Sequence, residues 1–286
     1  MVRAIRDAGL EMAGFEGVLA SDVPRGAGLS SSAALEVGLA MVLLPRPPAP
    51  AVLAPICRRA ENVYVGVQSG IMDQLSSAAG VAGSALLIDC RTLDVRRVSV
   101  PDDLAVLVVD SGVRRSLTDG RYNEVRRDLD EAAWRLGVAA LRDVDGTQLA
   151  EAERSGALSG SVLARARHVV GENRRTLDAA AALEAGRLDE VAALFAASHR
   201  SLAADLRVSS QELDALVEIA GRTPGVVASR MTGAGFGGCT VNLVRAAAAT
   251  RASAAILAAY RERTGREGRA WISRPGDGAG RAPWHG

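Results

Sequence analysis

No lysine occurs anywhere in the 286 residues; all 34 basic side chains are arginine. That absence excludes a Walker A loop, which needs a Gly-Lys-Ser/Thr step, and the strand lysine of protein kinases. It also excludes pyridoxal and other Schiff-base chemistry, where a lysine amine is the nucleophile. Cysteine and histidine are scarce and scattered: Cys57, Cys90 and Cys239, His168, His199 and His285. No pair has metal-ligand spacing, so a zinc site is not expected, and an odd cysteine count does not suggest a disulfide framework. No apolar run approaches membrane-spanning length, and the N-terminus lacks the shape of a signal peptide. A cytoplasmic protein is expected, without a membrane partner. The net charge of +1 gives no electrostatic reason to expect nucleic acid.

What is present reads as an ordinary globular chain, 48% apolar and 23% charged, long enough for two packed domains. Residues 2–12 read as a helix broken by Gly14, and Phe15 to Val23 as a strand. A glycine turn follows (Gly26, Gly28), then Ser30, Ser31 and Ser32, then a helix from Ser31 to Leu44 that is apolar all round and expected to be buried on several faces. The run PRPPAP at 45–50 stops it. The next helix, about 52–64, carries the stripe Leu53, Ile56, Cys57, Ala60, Val63 and Tyr64. Asp73 opens a short helix; 84–89 and 96–100 look like paired strands, and 104–109 like a buried one. Long helices follow over about 118–137, 161–185, 188–205 and 209–221. Strands at 225–231 and 238–244, a helix at 246–263 and a strand over 269–273 complete the pattern. Residues 1–112 and 113–274 are taken as two domains and 275–286 as a loose tail.

The turn over Gly26, Ala27, Gly28, Leu29, Ser30, Ser31 and Ser32 delivers backbone N–H groups and hydroxyls to a helix N-terminus, an arrangement suited to an anion such as phosphate. From these residues alone, a serine-capped loop is as good a reading. A second glycine run, MTGAGFGGCTVNLV, holds Gly233, Gly235, Gly237 and Gly238. The strand-like residues after it rule out a dinucleotide fingerprint, leaving a tight turn or a close approach of another backbone or a ligand. Asp73 is either the N-cap of its helix or a carboxylate that accepts a hydroxyl proton. Glu61 is either half of a surface ion pair with Arg58 or an oxygen ligand for Mg²⁺, which is often held by one or two protein oxygens plus phosphates. Tyr122 and His199 read as packing residues. No G-x-S-x-G occurs, which argues against a serine hydrolase.

The stretches PRGAGLSSSAALE, RAENVYVGVQSGIMDQ, LLIDCRTL, RYNEVRR, RHVVGENRRTLDAA and SRMTGAGFGGCTV, in this order, resemble the galactokinases of the GHMP small-molecule kinase family. The resemblance implies an α/β (α+β) protein with an N-terminal domain like the second domain of ribosomal protein S5 and a ferredoxin-like C-terminal domain. It implies ATP, with residues Gly26 to Ser32 around the phosphates and the loop Gly233 to Gly238 contributed by the C-terminal domain. It assigns Mg²⁺ to Ser32 and Glu61, action on the anomeric hydroxyl of galactose to Asp73, and sugar contacts to Gly70 and Tyr122. The Gly-Glu-His-Thr-Asp-Tyr stretch of that family is absent. An incomplete N-terminal domain lacking its sugar-binding segment is therefore expected, with an upstream-encoded segment as a partner and poor turnover of galactose. An inactive remnant, a sugar-responsive regulator on the same fold and another GHMP sugar kinase remain open.

Overall fold

The computed structural model describes residues 1–24, 28–67, 69–114 and 121–282. The chain divides into two compact units, residues 1–101 with 274–286, and residues 102–273.

The first unit contains α1 (Val2–Asp7), α2 (Ser31–Leu43), α3 (Pro50–Arg59), α4 (Met72–Ala79), β1 (Ser84–Ile88) and β2 (Val95–Ser99). Helix α1 ends earlier than its pattern suggests, because Gly9 adopts a left-handed φ of 68°. Ala4 and Ile5 nevertheless lie fully buried against Val37, Ala40, Leu53 and Cys57, so the core begins at the first helix. The apolar α2 buries one face through Ala33, Val37, Ala40 and Leu43 and leaves Leu35 and Val42 exposed, rather than being covered all round. The proline run has two effects: it ends α2, and Pro50 starts α3, where its missing N–H costs nothing. After α3 the chain makes a π-helical turn over Ala60–Val65, a rare local widening that often marks functional sites. Phe15 to Val23 forms no strand; Val18 and Leu19 are exposed, and no ladder partner supports the segment among the described residues. Strands β1 and β2 pair antiparallel from Ser84↔Ser99 to Ile88↔Val95.

Residues 274–282 are not a loose tail. Gly278 N–H donates to the Gly80 carbonyl (2.8 Å) and Ala279 N–H to that of Ser77 (2.8 Å). The Arg281 guanidinium donates to the carbonyls of Met41, Leu44 and Pro45, satisfying the open C-terminal end of α2.

The second unit contains β3 (Leu104–Asp110), α5 (Arg121–Arg135), α6 (Gly146–Arg154), α7 (Gly160–Glu184), α8 (Leu188–Ser201), α9 (Gln211–Gly221), β4 (Val226–Met231), β5 (Cys239–Arg245), α10 (Ala249–Thr264) and β6 (Arg269–Ser273). Its sheet has the order β4-β5-β3-β6, antiparallel throughout. Counted within the unit, that is the 2-3-1-4 order of a ferredoxin-like sheet. Because β3 is an inner strand of this sheet, the division of the chain falls at 101/102 rather than near 112. Leu107, Val109, Leu216, Val244, Ile256 and Tyr260 fill the layer between the sheet and its helices. Helix α6 has no counterpart in the sequence reading, yet its start was encoded: Asp145 and Gln148 form a reciprocal capping box.

Candidate functional site

Each unit carries its own set of the residues singled out above. In the first unit, Gly28 (φ 77°) and Ser30 (φ 54°) both take left-handed backbone conformations at the entry to α2. For a serine this costs energy, and such outliers concentrate at functional positions. Ser30 is the N-cap residue but its side chain caps nothing. Among the described residues, no hydrogen bond reaches the hydroxyl of Ser30, Ser31 or Ser32, and Ser32 is exposed. The serine-cap reading therefore fails at Ser30, and the first-turn N–H groups remain open to an anion. Gly26 and Ala27 lie outside the described residues.

Asp73 sits in the first turn of α4, exposed, with Ile71 as the N-cap residue. It is not a cap, and its carboxylate makes no hydrogen bond or ion pair among the described residues. Its neighbour Gln74 is 1% exposed. The Gln74 amide nitrogen donates to Glu36 Oε2 (3.1 Å) and to Glu61 Oε2 (3.2 Å). Glu36 comes from α2, one helical turn after Ser32, and Glu61 from the π-helical turn after α3. The Ser69 hydroxyl also donates to Glu61 Oε2. Ser69 is held in turn by Asn62, whose side-chain oxygen accepts its N–H (3.1 Å) and whose amide reaches its carbonyl (3.3 Å). Glu61 is thus buried and bound by neutral donors, and it makes no pair with Arg58. Burial pushes the Glu36 carboxyl up to about 6, partly offset by the Gln74 bond and reinforced by the nearby Glu61 charge. The sequence reading missed Glu36 and Gln74. A lone glutamate in an otherwise apolar helix was the available signal for Glu36. Gly70 lies exposed in the loop between Ser69 and α4, with open space where a Cβ would stand.

In the second unit the loop between β4 and β5 has left-handed φ at Gly233, Gly235, Phe236, Gly237 and Gly238. A Cβ on Gly235 would collide with the Val208 carbonyl oxygen, and one on Gly237 would stand 2.7 Å from that of Val113. Of the two explanations open for these glycines, close approach of another backbone holds at both positions. Phe236 N–H donates to the Val208 carbonyl (2.6 Å). The Gly238 carbonyl accepts both the N–H (2.9 Å) and the hydroxyl (2.8 Å) of buried Ser111, while its N–H donates to Val113 (3.0 Å). The hydroxyl of fully buried Tyr260 fixes the Ser111 carbonyl (2.8 Å). His199 does more than fill space: its Nδ1 accepts the N–H of Met231 (3.4 Å), just before this loop, and its Nε2 meets Asp214 (3.1 Å). Burial lowers its pKa against the pull of Asp214, which favours the neutral ring with the proton on Nε2. The backbone of Tyr122 lies in the first turn of α5; its side chain lies outside the described residues.

Mg²⁺ fits the oxygens present in the first unit. Glu61 Oε2 is engaged by two donors, its Oε1 accepts no hydrogen bond among the described residues, and the Ser32 hydroxyl is likewise unengaged. No group of three or more His, Cys, Asp or Glu suited to a metal exists among the described residues. No described helix is long and apolar enough to cross a membrane.

Comparison with known proteins identifies both units. Residues 1–82 match the GHMP kinases N terminal domain and residues 179–262 the GHMP kinases C terminal family. The chain is 46% identical to a galactokinase of Roseiflexus sp. (strain RS-1), across 98% of this chain and 73% of that protein. It is 47% identical to the galactokinase of Homo sapiens, across 93% and 67%. The structure of Lactococcus lactis galactokinase complexed with galactose superposes with a TM-score of 0.86 at 32% identity, covering 97% of this chain and 74% of that one. Structures of mevalonate kinases at 18% identity share the fold alone. These matches correct the expectation of an incomplete N-terminal domain. The N-terminal family is matched over residues 1–82, and α1 is packed into that domain's core. With both GHMP domains matched and relatives this similar along nearly its whole length, the chain belongs to the galactokinase family.

Proposed function

We infer that this protein transfers the terminal phosphoryl group of ATP to the anomeric hydroxyl of galactose, giving galactose 1-phosphate and ADP. The observation that carries this reading is the identity with galactokinases over 98% of the chain. The arrangement of α2, Glu61 and Asp73 is chemically suited to it. The uncapped N-terminus of α2 and the turn Gly26 to Ser32 bind the phosphates through backbone N–H groups, which makes lysine dispensable. The loop Gly233 to Gly238 offers further backbone groups to the nucleotide. Ser32 and Glu61 hold Mg²⁺, which when bound neutralises charge on the phosphates. Asp73, exposed and unpaired, accepts the proton as the sugar hydroxyl oxygen attacks phosphorus, while the bond to the ADP oxygen breaks. Gly70 and Tyr122 contact the sugar, Gly70 by leaving room for it.

The test is ³¹P NMR of the purified chain with ATP, Mg²⁺ and galactose. Galactose 1-phosphate is expected to accumulate with ADP; ATP left unconsumed, or consumed only with a non-sugar alcohol, would overturn the reading. Asp73→Asn should lower kcat by about 100-fold or more, the usual scale of general-base catalysis, with ADP affinity within twofold of the parent. An unchanged kcat removes Asp73 from its role.

A further inference from the structure

We propose that Gln74 is a positioning residue: its amide nitrogen, shared between Glu36 and Glu61, fixes the Glu61 carboxylate so that one oxygen is free for Mg²⁺. This rests on the reading of Glu61 as a metal ligand. Three observations support it. First, the donor is neutral. Two carboxylates within reach of one group would ordinarily be separated or met by an arginine, of which this chain has many. An arginine there would cancel the charge that a cation needs; an amide holds both oxygens in place and leaves that charge intact. Second, both donors to Glu61, Gln74 Nε2 and Ser69 Oγ, converge on Oε2. Engaging one oxygen from two sides fixes the rotation of the carboxylate and leaves Oε1 without a hydrogen bond among the described residues. Third, the arrangement is made without satisfying Gln74 itself, whose Oε1 is buried and has no partner. A buried acceptor left unpaired is a cost to folding, as expected where a residue is kept for what its other end does.

The same amide has a second consequence. Gln74 follows Asp73 in the first turn of α4, so anchoring its side chain to Glu36 on α2 and to Glu61 beyond α3 joins three segments at one atom. Glu36 is therefore an anchor for the amide rather than a ligand, in keeping with its near-complete burial and its raised carboxyl.

The full-length protein with Gln74→Met, which keeps the side-chain volume and removes both hydrogen-bond donors, tests this. Mn²⁺ binding to the protein–ADP complex is read from the EPR signal of free Mn²⁺, alongside metal-free ADP affinity and the thermal midpoint. Mn²⁺ affinity should fall about tenfold, with metal-free ADP affinity within twofold. Gln74→Asn, which keeps the amide but is too short to reach both carboxylates, should weaken Mn²⁺ binding to an intermediate degree and decides the matter if the Met variant does not fold. A lower thermal midpoint with unchanged Mn²⁺ affinity in the folded variants would mean a purely structural role and overturn the proposal. Glu61→Gln tests the underlying reading separately. If it weakens Mn²⁺ binding while the Gln74 variants do not, the ligand assignment stands and the positioning role falls. If Glu61→Gln leaves Mn²⁺ affinity unchanged, both fall.

Discussion

The two glycine loops of this protein look alike in sequence and differ in what holds them. The loop beyond β4 is fastened to its own unit on two sides, by Val208 on one and by Ser111 and Val113 on the other. At Gly235 and Gly237 glycine is required because protein backbone stands where a side chain would go. At the entry to α2, Gly28 and Ser30 hold left-handed conformations, and the serine hydroxyls make no hydrogen bond among the described residues. One loop is set by the fold before any ligand arrives, and the other presents unsatisfied donors. Glycine richness by itself distinguishes neither case; the partners of the backbone do.

The comparison is most sharply tested by inserting one methyl group in each loop. Gly235→Ala must both adopt a φ of 80° and displace the Val208 carbonyl, so a stability loss of about 3 kcal/mol or more is expected. Gly28→Ala meets a left-handed φ of 77°, a cost of about 1 kcal/mol, and should weaken ATP binding more than it weakens the fold. Urea denaturation followed by circular dichroism, paired with nucleotide titration, separates the two. Equal losses of stability would dissolve the distinction between a fastened and an open loop.

A smaller effect is expected at the fastening itself. Ser111→Ala removes the hydroxyl bond to the Gly238 carbonyl, while the backbone N–H of residue 111 still donates there. A loss of about 1 kcal/mol in unfolding free energy follows, with the KM for ATP rising several-fold and kcat little changed. An unaltered KM would mean that the loop keeps its shape without Ser111.

Much of this was legible in the sequence. Hydrophobic spacing and glycine and proline punctuation located α2, the hairpin β1–β2, the strands β3 to β6 and the long helices, because each is dictated by local pattern. Phe15 to Val23 was misread because β-suited composition does not supply a partner strand. Helix α6 was overlooked although its Asp145–Gln148 capping box stood in plain view. Asp73, Glu61 and the serine turn stood out through motif. Gln74 did not, because a glutamine in a polar helical turn carries no one-dimensional sign of burial; only the packing of α2 and α3 against α4 brings Glu36 and Glu61 to its amide. Residues 275–286 read as a tail for the same reason, since the partners of Gly278, Ala279 and Arg281 lie some two hundred residues earlier in the chain.

The mildest expected effect lies in the open loop's own unit and concerns protons. Burial raises the Glu36 carboxyl from 4.5 to about 6, so the folded protein binds this proton more tightly than the unfolded chain. The sign follows from linkage: the stabilising contribution of protonated Glu36 is complete below about pH 4.5 and is lost as pH rises through about 6. Glu36→Gln keeps an oxygen that accepts from Gln74 and removes the titration. The thermal midpoint of the variant minus that of the parent should therefore increase between pH 4.5 and 6 and level off above. Taking the difference cancels the carboxylates that do not interact with Glu36. A difference that stays flat over this interval would mean that Glu36 ionises as easily inside the fold as outside it, and the amide-bridged carboxylates would then be no more constrained than the open turn that precedes them.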